Sequence, residues 1–207
     1  MNRAFEEQFG LTGAFDGIEM AGRTDKWIFE DAASRAAVGL SGDTFHRFRD
    51  RYCARLLEAL SEPTHLKGVL PGVQNLLEAI SARNDVFPAL LTGNCEGGAR
   101  IKLQHFDLWR FFRCGAFGDD VTDRNHLFDV AMQRAEACGV PRVTRGDVFV
   151  VGDTVLDVAC AQAAGARSVG VATGTVDVDT LRNSGADVAL KDLSDTEAFL
   201  RMLGVQI

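Results

Sequence analysis

The pattern of apolar positions changes about one third of the way along the chain. Up to about residue 66, apolar residues recur at helical spacing, which predicts helices over 25–38 and from Asp43 or Thr44 to about residue 61. The Ser61-Glu62-Pro63 sequence ends the second of these helices, because proline cannot continue one. No strand is predicted before residue 85.

Beyond about residue 66, short β-branched apolar runs alternate with helical segments. Strands are predicted at 86–91, 114–117, 147–151, 168–172 and 186–190, with helices ending near 83, at 97–106, at 127–138, after 152 and at 195–203. This alternation is typical of a doubly wound parallel sheet covered by helices on both faces. We therefore expect an α/β protein with two domains, one over residues 1–66 and one over 67–207.

Composition and charge exclude several classes of protein. The 207 residues contain 22 basic and 29 acidic side chains, and the net charge of −7 argues against a large nucleic-acid interface. No apolar run approaches the length of a membrane span. The five cysteines form no C-x-x-C pair and the four histidines show no ligand spacing, so we expect reduced thiols, no zinc and a cytoplasmic location.

Polar residues follow two of the predicted strands, where ligands of parallel α/β sheets bind. Thr92, Gly93 and Asn94 come after the first strand and before a helix, whose free N–H groups favour an anion such as phosphate. Asp153 follows the strand at 147–151, and Asp157 lies one helical turn later. Two carboxylates there could hold Mg²⁺, or both could serve only as helix-capping acids.

Two of these segments together resemble a known superfamily. LLTGN, followed some sixty residues later by VVGDTVLDVACAQAAGA, is similar to motifs II and IV of the haloacid dehalogenase superfamily, especially its phosphoglycolate-phosphatase-like hydrolases. The segments FEEQFGL, GRTD, LPGVQNLLEAI and VATG fit the same pattern. The resemblance implies a Rossmann-like core over 67–207 with a small helical cap over 1–66.

The resemblance also implies roles for five residues. Thr92 would bind the substrate phosphate, with backbone groups of Gly93 and Asn94 beside it. Asp153 would be a direct ligand of Mg²⁺, and Asp157 would bind the metal or a metal-bound water. The implied reaction transfers a phosphoryl group from substrate to an aspartate and then to water.

The cation of motif III departs from the usual pattern. Relatives carry Lys in a Lys-Pro sequence, whereas this chain has Arg124 at the corresponding place. Arginine retains the charge and can bind phosphate through two hydrogen bonds, so we expect Arg124 to fill this role. Lys102, within the helix after motif II, is the competing candidate.

Motif I, which supplies the nucleophilic aspartate in the superfamily, has no match in this sequence. Asp16 in GAFDGIEM follows no apolar strand and precedes no second aspartate, so we interpret this segment as a turn. Because MNRAFEEQFG resembles the middle of a first cap helix, we expect Met1 to be an internal methionine of a longer protein. The first core strand and the nucleophile would then precede it.

Three functions remain open at this point. The first is a Mg²⁺-dependent phosphatase of a small phosphorylated metabolite, for which the chain alone would be inactive without motif I. The others are an inactive protein that binds phosphorylated ligands and a sugar-phosphate mutase. Arg23 and Lys26 could reach an anionic substrate from the cap, or the GRTD segment could only cap the helix that follows.

Overall fold

The computed structural model describes residues 1–62 and 68–205. The expected domain boundary between residues 66 and 67 lies outside the described residues. The helices are α1 (Asn2–Phe9), α2 (Asp25–Arg35), α3 (Thr44–Ser61), α4 (Val73–Ser81), α5 (Glu96–His105), α6 (Leu127–Ala137), α7 (Val155–Ala164), α8 (Val178–Asn183) and α9 (Thr196–Met202), and the strands are β1 (Leu90–Leu91), β2 (Gly115–Ala116), β3 (Phe149–Gly152), β4 (Arg167–Val171) and β5 (Val188–Leu190). Within the described ranges, no helix is long and apolar enough to cross a membrane.

A cluster of aromatic rings holds α1, α2 and α3 together. Phe5, Phe29 and Phe48 are almost fully buried. The Phe29 ring centroid lies 4.6 Å from that of Phe48 and 6.0 Å from that of Phe5. Aromatic rings at these separations add about 0.5–1.5 kcal/mol per pair to the burial of their area. The helical interpretation of this part of the chain is confirmed.

The ends of α2 are set by two local features. At the start, the Thr24 hydroxyl accepts a hydrogen bond of 3.1 Å from the Trp27 N–H, so Thr24 is the N-cap. At the other end the helix stops at Arg35, earlier than the expected residue 38, because Ala37 takes a φ of 53°. A left-handed residue cannot continue a right-handed helix.

The second part of the chain is the expected α/β structure with parallel strands, but its strands form two sheets. β1 pairs with β2, and β3, β4 and β5 pair in that order. Among the described residues, β1 and β3 therefore each have one edge without a neighbouring strand. Most strands are two or more residues shorter than expected from the apolar runs.

Helix α6 joins the two sheets through a shared apolar layer. Phe128 of α6 is buried in a cluster with Val150 of β3, and Leu91 of β1 packs against that cluster. Arg134, which also belongs to α6, donates a hydrogen bond of 2.7 Å to the Gly115 carbonyl oxygen of β2. Side-chain packing thus holds β1 and β3 near each other in place of a ladder of backbone hydrogen bonds.

The segment of residues 22–26, which precedes and begins α2, is bonded to the loops that follow β1 and β2. The Asp25 N–H donates to the Gly93 carbonyl oxygen at 2.6 Å, and the Lys26 N–H donates to the Gly118 carbonyl oxygen at 3.2 Å. A Cβ atom on Gly118 would lie 1.7 Å from the Gly93 carbonyl oxygen, so only glycine permits this close approach. We refer to residues 22–26 as the bridging segment.

Candidate functional site

A cavity of about 460 Å³ opens at the carboxyl ends of β1 and β3. All six residues expected to form the site line it: Thr92, Gly93, Asn94, Arg124, Asp153 and Asp157. The bridging segment closes one side of the cavity through Gly22, Arg23 and Asp25. Thr92 and Asp153, which are about sixty positions apart in the sequence, therefore line the same cavity. This agrees with the rule that ligands of parallel α/β sheets bind at the carboxyl ends of the strands.

The loop after β1 presents a hydroxyl and a backbone turn to the cavity. Thr92 Oγ1 accepts hydrogen bonds from the Asn94 N–H at 3.2 Å and from Asn94 Nδ2 at 2.9 Å. Because a hydroxyl can accept two hydrogen bonds and donate one, its own proton is available to an anion in the cavity. Helix α5 begins two residues later, at Glu96.

Arg124 lies against this loop. Its Nη1 donates to the Gly22 carbonyl oxygen at 3.0 Å, and its Nη2 forms an ion pair with Asp157. The side chain is only 14% exposed, and its buried Nε has no hydrogen-bond partner among the described residues. A Cβ atom on Gly93 would lie 3.3 Å from Nη1, so the guanidinium group directly adjoins the expected phosphate loop.

Lys102 also lines the cavity, although it belongs to the last turn of α5. Its side chain extends towards the start of the helix, and its ammonium group donates a hydrogen bond to Asn94 Oδ1. Long helical side chains favour this direction. The geometry thus places both candidate cations at the cavity, and the preference for Arg124 remains a prediction.

The two carboxylates after β3 have different surroundings. Asp157 Oδ2 accepts hydrogen bonds from the Thr154 N–H at 3.0 Å and from Thr154 Oγ1 at 2.8 Å, and its Oδ1 pairs with Arg124. Thr154 and Asp157 form a capping box at the start of α7. Asp153 lines the cavity, and its carboxylate lies directly against Gly174. A Cβ atom at residue 174 would come within 2.4 Å of Asp153 Oδ2, so a larger residue there would displace the carboxylate.

The two carboxylates can be compared with what a Mg²⁺ ion requires. No group of three or more His, Cys, Asp or Glu side chains able to hold a metal occurs in the described part of the chain. Mg²⁺ does not need such a group, since it often binds one or two carboxylates together with water and substrate phosphate. Asp153 lines the open cavity and is of the ligand type for that share, and both oxygens of Asp157 contact protein groups.

Asp25 is a site residue that the sequence pattern did not single out. Its Oδ2 accepts a hydrogen bond of 2.8 Å from the Cys95 N–H, while its own N–H binds the Gly93 carbonyl oxygen. Burial raises the pKa of the Asp25 carboxyl above its ordinary value. In the sequence, Asp25 was indistinguishable from an ordinary first-turn acid after an N-cap.

Of the three other charged candidates in the helical part, one lines the cavity and two do not. Arg23 lines the cavity, with its guanidinium group 4.5 Å from the centroid of the Trp27 ring. Lys26 is absent from the lining of this cavity. Asp16 lies in an exposed turn away from the cavity, which confirms the interpretation of GAFDGIEM as a turn.

Comparison with known proteins agrees with the geometry. The family model described as HAD-hydrolase-like matches residues 124–196. No curated protein sequence matches the chain. Among solved structures, a hydrolase from Pseudomonas syringae has 21% identity and a TM-score of 0.63, with 97% of this chain and 90% of that chain covered.

Two further structures share the fold. One is described as a predicted phosphoglycolate phosphatase from Haemophilus somnus, with 19% identity, a TM-score of 0.63 and coverage of 96% of this chain and 87% of that one. The other is β-phosphoglucomutase from Clostridium difficile, with 14% identity, a TM-score of 0.65 and coverage of 98% and 88%. At these identities the likeness establishes the fold alone.

Fold and site together define an α/β protein with a ligand cavity at the carboxyl ends of parallel strands. Residues 124–196 match the model of the haloacid dehalogenase-like (HAD-like) hydrolases, and nearly the whole chain shares the fold of solved structures described as phosphatases and mutases. The resemblance read from LLTGN and VVGDTVLDVACAQAAGA is confirmed.

Proposed function

We propose that this chain is the larger part of a cytoplasmic, Mg²⁺-dependent phosphatase that hydrolyses a small phosphorylated metabolite, of the size and charge of phosphoglycolate. The reaction passes through a phospho-aspartate, and the nucleophilic aspartate lies in a segment that precedes Met1. The observation that carries the proposal is the convergence of Thr92, Arg124 and Asp153 on one cavity.

The protein groups at the cavity suit the binding of a phosphate monoester. The Thr92 hydroxyl and the Gly93 N–H can donate to phosphoryl oxygens, and the positive charge of Arg124, whose Nη1 adjoins Gly93, can offset their negative charge. Such fixed donors stabilise the charge that spreads over the transferred phosphoryl group. Asn94 orients the Thr92 hydroxyl, since it donates twice to the same oxygen.

Asp153 would hold Mg²⁺ at the end of β3. When bound, the ion would neutralise phosphate charge and position the phosphoryl group for attack. Asp157 would act in this structure by holding Arg124 in place, because its two oxygens contact Arg124 and Thr154. A direct or water-mediated contact of Asp157 with the metal belongs to the proposal as well.

The gap between the two sheets supports the proposed position of the nucleophile. β1 and β3 each have an edge without a neighbouring strand among the described residues, and both edges border the cavity through Leu91 and Val151. Val151 is 43% exposed, which is unusual in a parallel sheet covered on both faces. An apolar strand inserted there would pair with both edges and bring its last residue next to Asp153 and Thr92.

Substitution of Asp153 tests the metal site without requiring turnover. We expect Asp153→Asn to weaken Mg²⁺ binding by about tenfold or more, because the amide removes the negative charge of the ligand. Loss of a residue that only supports a metal ligand already lowers metal affinity by about tenfold, so loss of a ligand should cost at least as much. Isothermal titration calorimetry with MgCl₂ in the presence of inorganic phosphate would measure the change. Asp16→Asn, in an exposed turn, is the matched control and should bind Mg²⁺ as the unchanged chain does. Equal affinity of the Asp153→Asn and Asp16→Asn variants would reject the assignment of Asp153.

The two candidate cations can be separated by their effects on anion binding. We expect Arg124→Ala to lower the affinity for inorganic phosphate by about 10- to 100-fold, the value of a charged hydrogen bond. Lys102→Ala should cost only a few-fold, because Lys102 is bonded to Asn94. Arg124→Lys, which keeps the charge, should recover part of the loss. A larger loss in Lys102→Ala than in Arg124→Ala would make Lys102 the phosphate-binding cation.

A second candidate function is a non-catalytic protein that binds phosphorylated ligands. It is favoured because both carboxylate oxygens of Asp157, an expected metal ligand, contact Thr154 and Arg124 instead. Such a protein would bind phosphate esters equally well with and without Mg²⁺, whereas the phosphatase would bind them more tightly with the ion. A sugar-phosphate mutase, which shares the fold, would interconvert sugar phosphates without releasing inorganic phosphate.

A further inference from the structure

Two thiols meet where the helical part of the chain packs against the loop after β1. Cys53 lies on α3 and is half-buried, whereas Cys95 is the buried N-cap residue of α5. Cys53 packs against the buried apolar cluster that contains Cys95, and a Cβ atom on Gly98 would lie 3.1 Å from Cys95 Sγ. A Cβ atom on Gly97 would lie 2.8 Å from Cys53 Sγ, so this sulfur lies directly against the first turn of α5.

The surroundings of Cys53 favour its thiolate. The hydrogen bond from Cys95 lowers the pKa of Cys53 against the opposing effect of burial, and the positive charge of Arg49 lowers it further. Arg49 lies one turn earlier on α3 and is held by Asp50 at 3.1 Å and by Asp119 at 3.3 Å. A partly exposed thiol with a lowered pKa beside an arginine is the usual setting of a reactive cysteine.

Cys95 has the opposite character. Its hydrogen bond to Cys53 raises its pKa, and burial and the nearby Asp25 carboxylate raise it further. Cys95 is therefore the poorer first nucleophile but the nearest thiol to a modified Cys53. A partly exposed thiol with a lowered pKa next to a second thiol is the arrangement found in redox-sensitive proteins.

We propose that Cys53 and Cys95 are a reversible disulfide site that responds to low-molecular-weight disulfides such as oxidised glutathione. The bond would join α3 to the residue that directly follows Asn94, and so would fix the helical part of the chain to the expected phosphate loop. This inference does not depend on the proposed function, since it concerns thiol chemistry that the hydrolytic reaction does not use.

The chemistry occurs in two exchange steps. The Cys53 thiolate attacks one sulfur of oxidised glutathione, which breaks its S–S bond, forms a mixed disulfide on Cys53 and releases one glutathione thiolate. The Cys95 sulfur then attacks the Cys53 sulfur and its proton passes to the departing glutathione thiolate, which forms the internal S–S bond and releases the second glutathione as a thiol. In sum, two protein thiols are oxidised and one glutathione disulfide is reduced to two thiols.

Mass spectrometry of the full chain tests the proposal. After incubation with oxidised glutathione and alkylation of remaining thiols under denaturing conditions, we expect a species in which two cysteines escape alkylation and the mass is lower by about two hydrogens. Peptide mapping without reduction should join the peptides that contain Cys53 and Cys95. Dithiothreitol should restore both thiols.

Matched variants identify the pair. Cys53→Ser should abolish the bond, and Cys53→Ala should do the same, with circular dichroism spectra showing that the helices are retained. Cys138→Ser is the control, because Cys138 adjoins Cys114 in the second pair of neighbouring thiols and should leave the proposed bond intact. A bond that survives in Cys53→Ser, a link only between Cys114 and Cys138, a glutathione adduct without an internal bond, or no reaction at all would each overturn the proposal.

Discussion

Hydrolysis of p-nitrophenyl phosphate by the 207-residue chain with Mg²⁺ is expected to stay at the background rate. A version extended at its N-terminus by an apolar strand that ends in Phe-Asp-x-Asp-Gly-Thr is expected to react at least about 10⁴-fold faster than the unextended chain, since loss of a covalent nucleophile typically costs that much or more. Release of inorganic phosphate from both proteins, measured side by side, checks this result.

The structure explains why the effect should be so large. In the proposed function, Thr92 and Arg124 would bind the phosphoryl group and Asp153 would hold Mg²⁺ beside it, but positioning without a nucleophile accelerates hydrolysis only modestly. The inserted strand would also complete the pairing of β1 and β3, and thereby fix the walls of the cavity. The extended protein with asparagine in place of the first aspartate of the added motif is the control, and it should be folded but inactive.

Two other outcomes would change the interpretation. Turnover by the unextended chain that is lost in Asp16→Asn would move the nucleophile to GAFDGIEM, in spite of its position in an exposed turn. An inactive extended protein that still binds phosphate esters would favour the ligand-binding function over the phosphatase.

The aromatic cluster of the helical part is expected to dominate the stability of the chain. Phe29→Ala should lower the free energy of unfolding by about 3–5 kcal/mol, because it removes a fully buried ring and leaves a cavity. The melting temperature should fall by about 10 °C, at a few degrees per kcal/mol for a chain of this size. Differential scanning calorimetry would measure both quantities.

A surface position on a neighbouring helix provides the comparison. Leu57, on α3, is 58% exposed, and Leu57→Ala should change the free energy of unfolding by less than about 0.5 kcal/mol. If Phe29→Ala costs less than about 1 kcal/mol, or no more than Leu57→Ala, the ring cluster is not a stabilising core. That outcome would place the stability of the chain in the sheets.

The positions of Thr92 and Asp153 could be predicted because they follow from the polarity of the strands. Parallel strands joined by helices bring their carboxyl ends to one edge, so residues directly after β1 and β3 must meet there. Arg124 was predicted from the resemblance, which places the motif III cation just before α6. The positions of Thr92 and Asp153 needed only the order of elements along the chain.

Other parts of the site depend on contacts that no local pattern encodes. Asp25 binds the Cys95 N–H across 70 residues of sequence, and the direction of the Lys102 side chain depends on the position of Asn94. The division of the strands into two sheets was likewise invisible, because apolar runs indicate strands but not their neighbours. Short apolar runs also overstate strand length, since they continue into apolar residues such as Val86 and Phe87 that lie outside β1.

The bridging segment has a consequence for biosynthesis. The aromatic rings of the helical part lie between Phe5 and Tyr52, so they can pack together as soon as α3 has left the ribosome. The bonds from Asp25 to Gly93 and from Lys26 to Gly118 must wait until translation has passed residue 118. For that interval the start of α2 lacks the two backbone hydrogen bonds that the loops after β1 and β2 supply, so the helical part folds before its connection to the sheets is made.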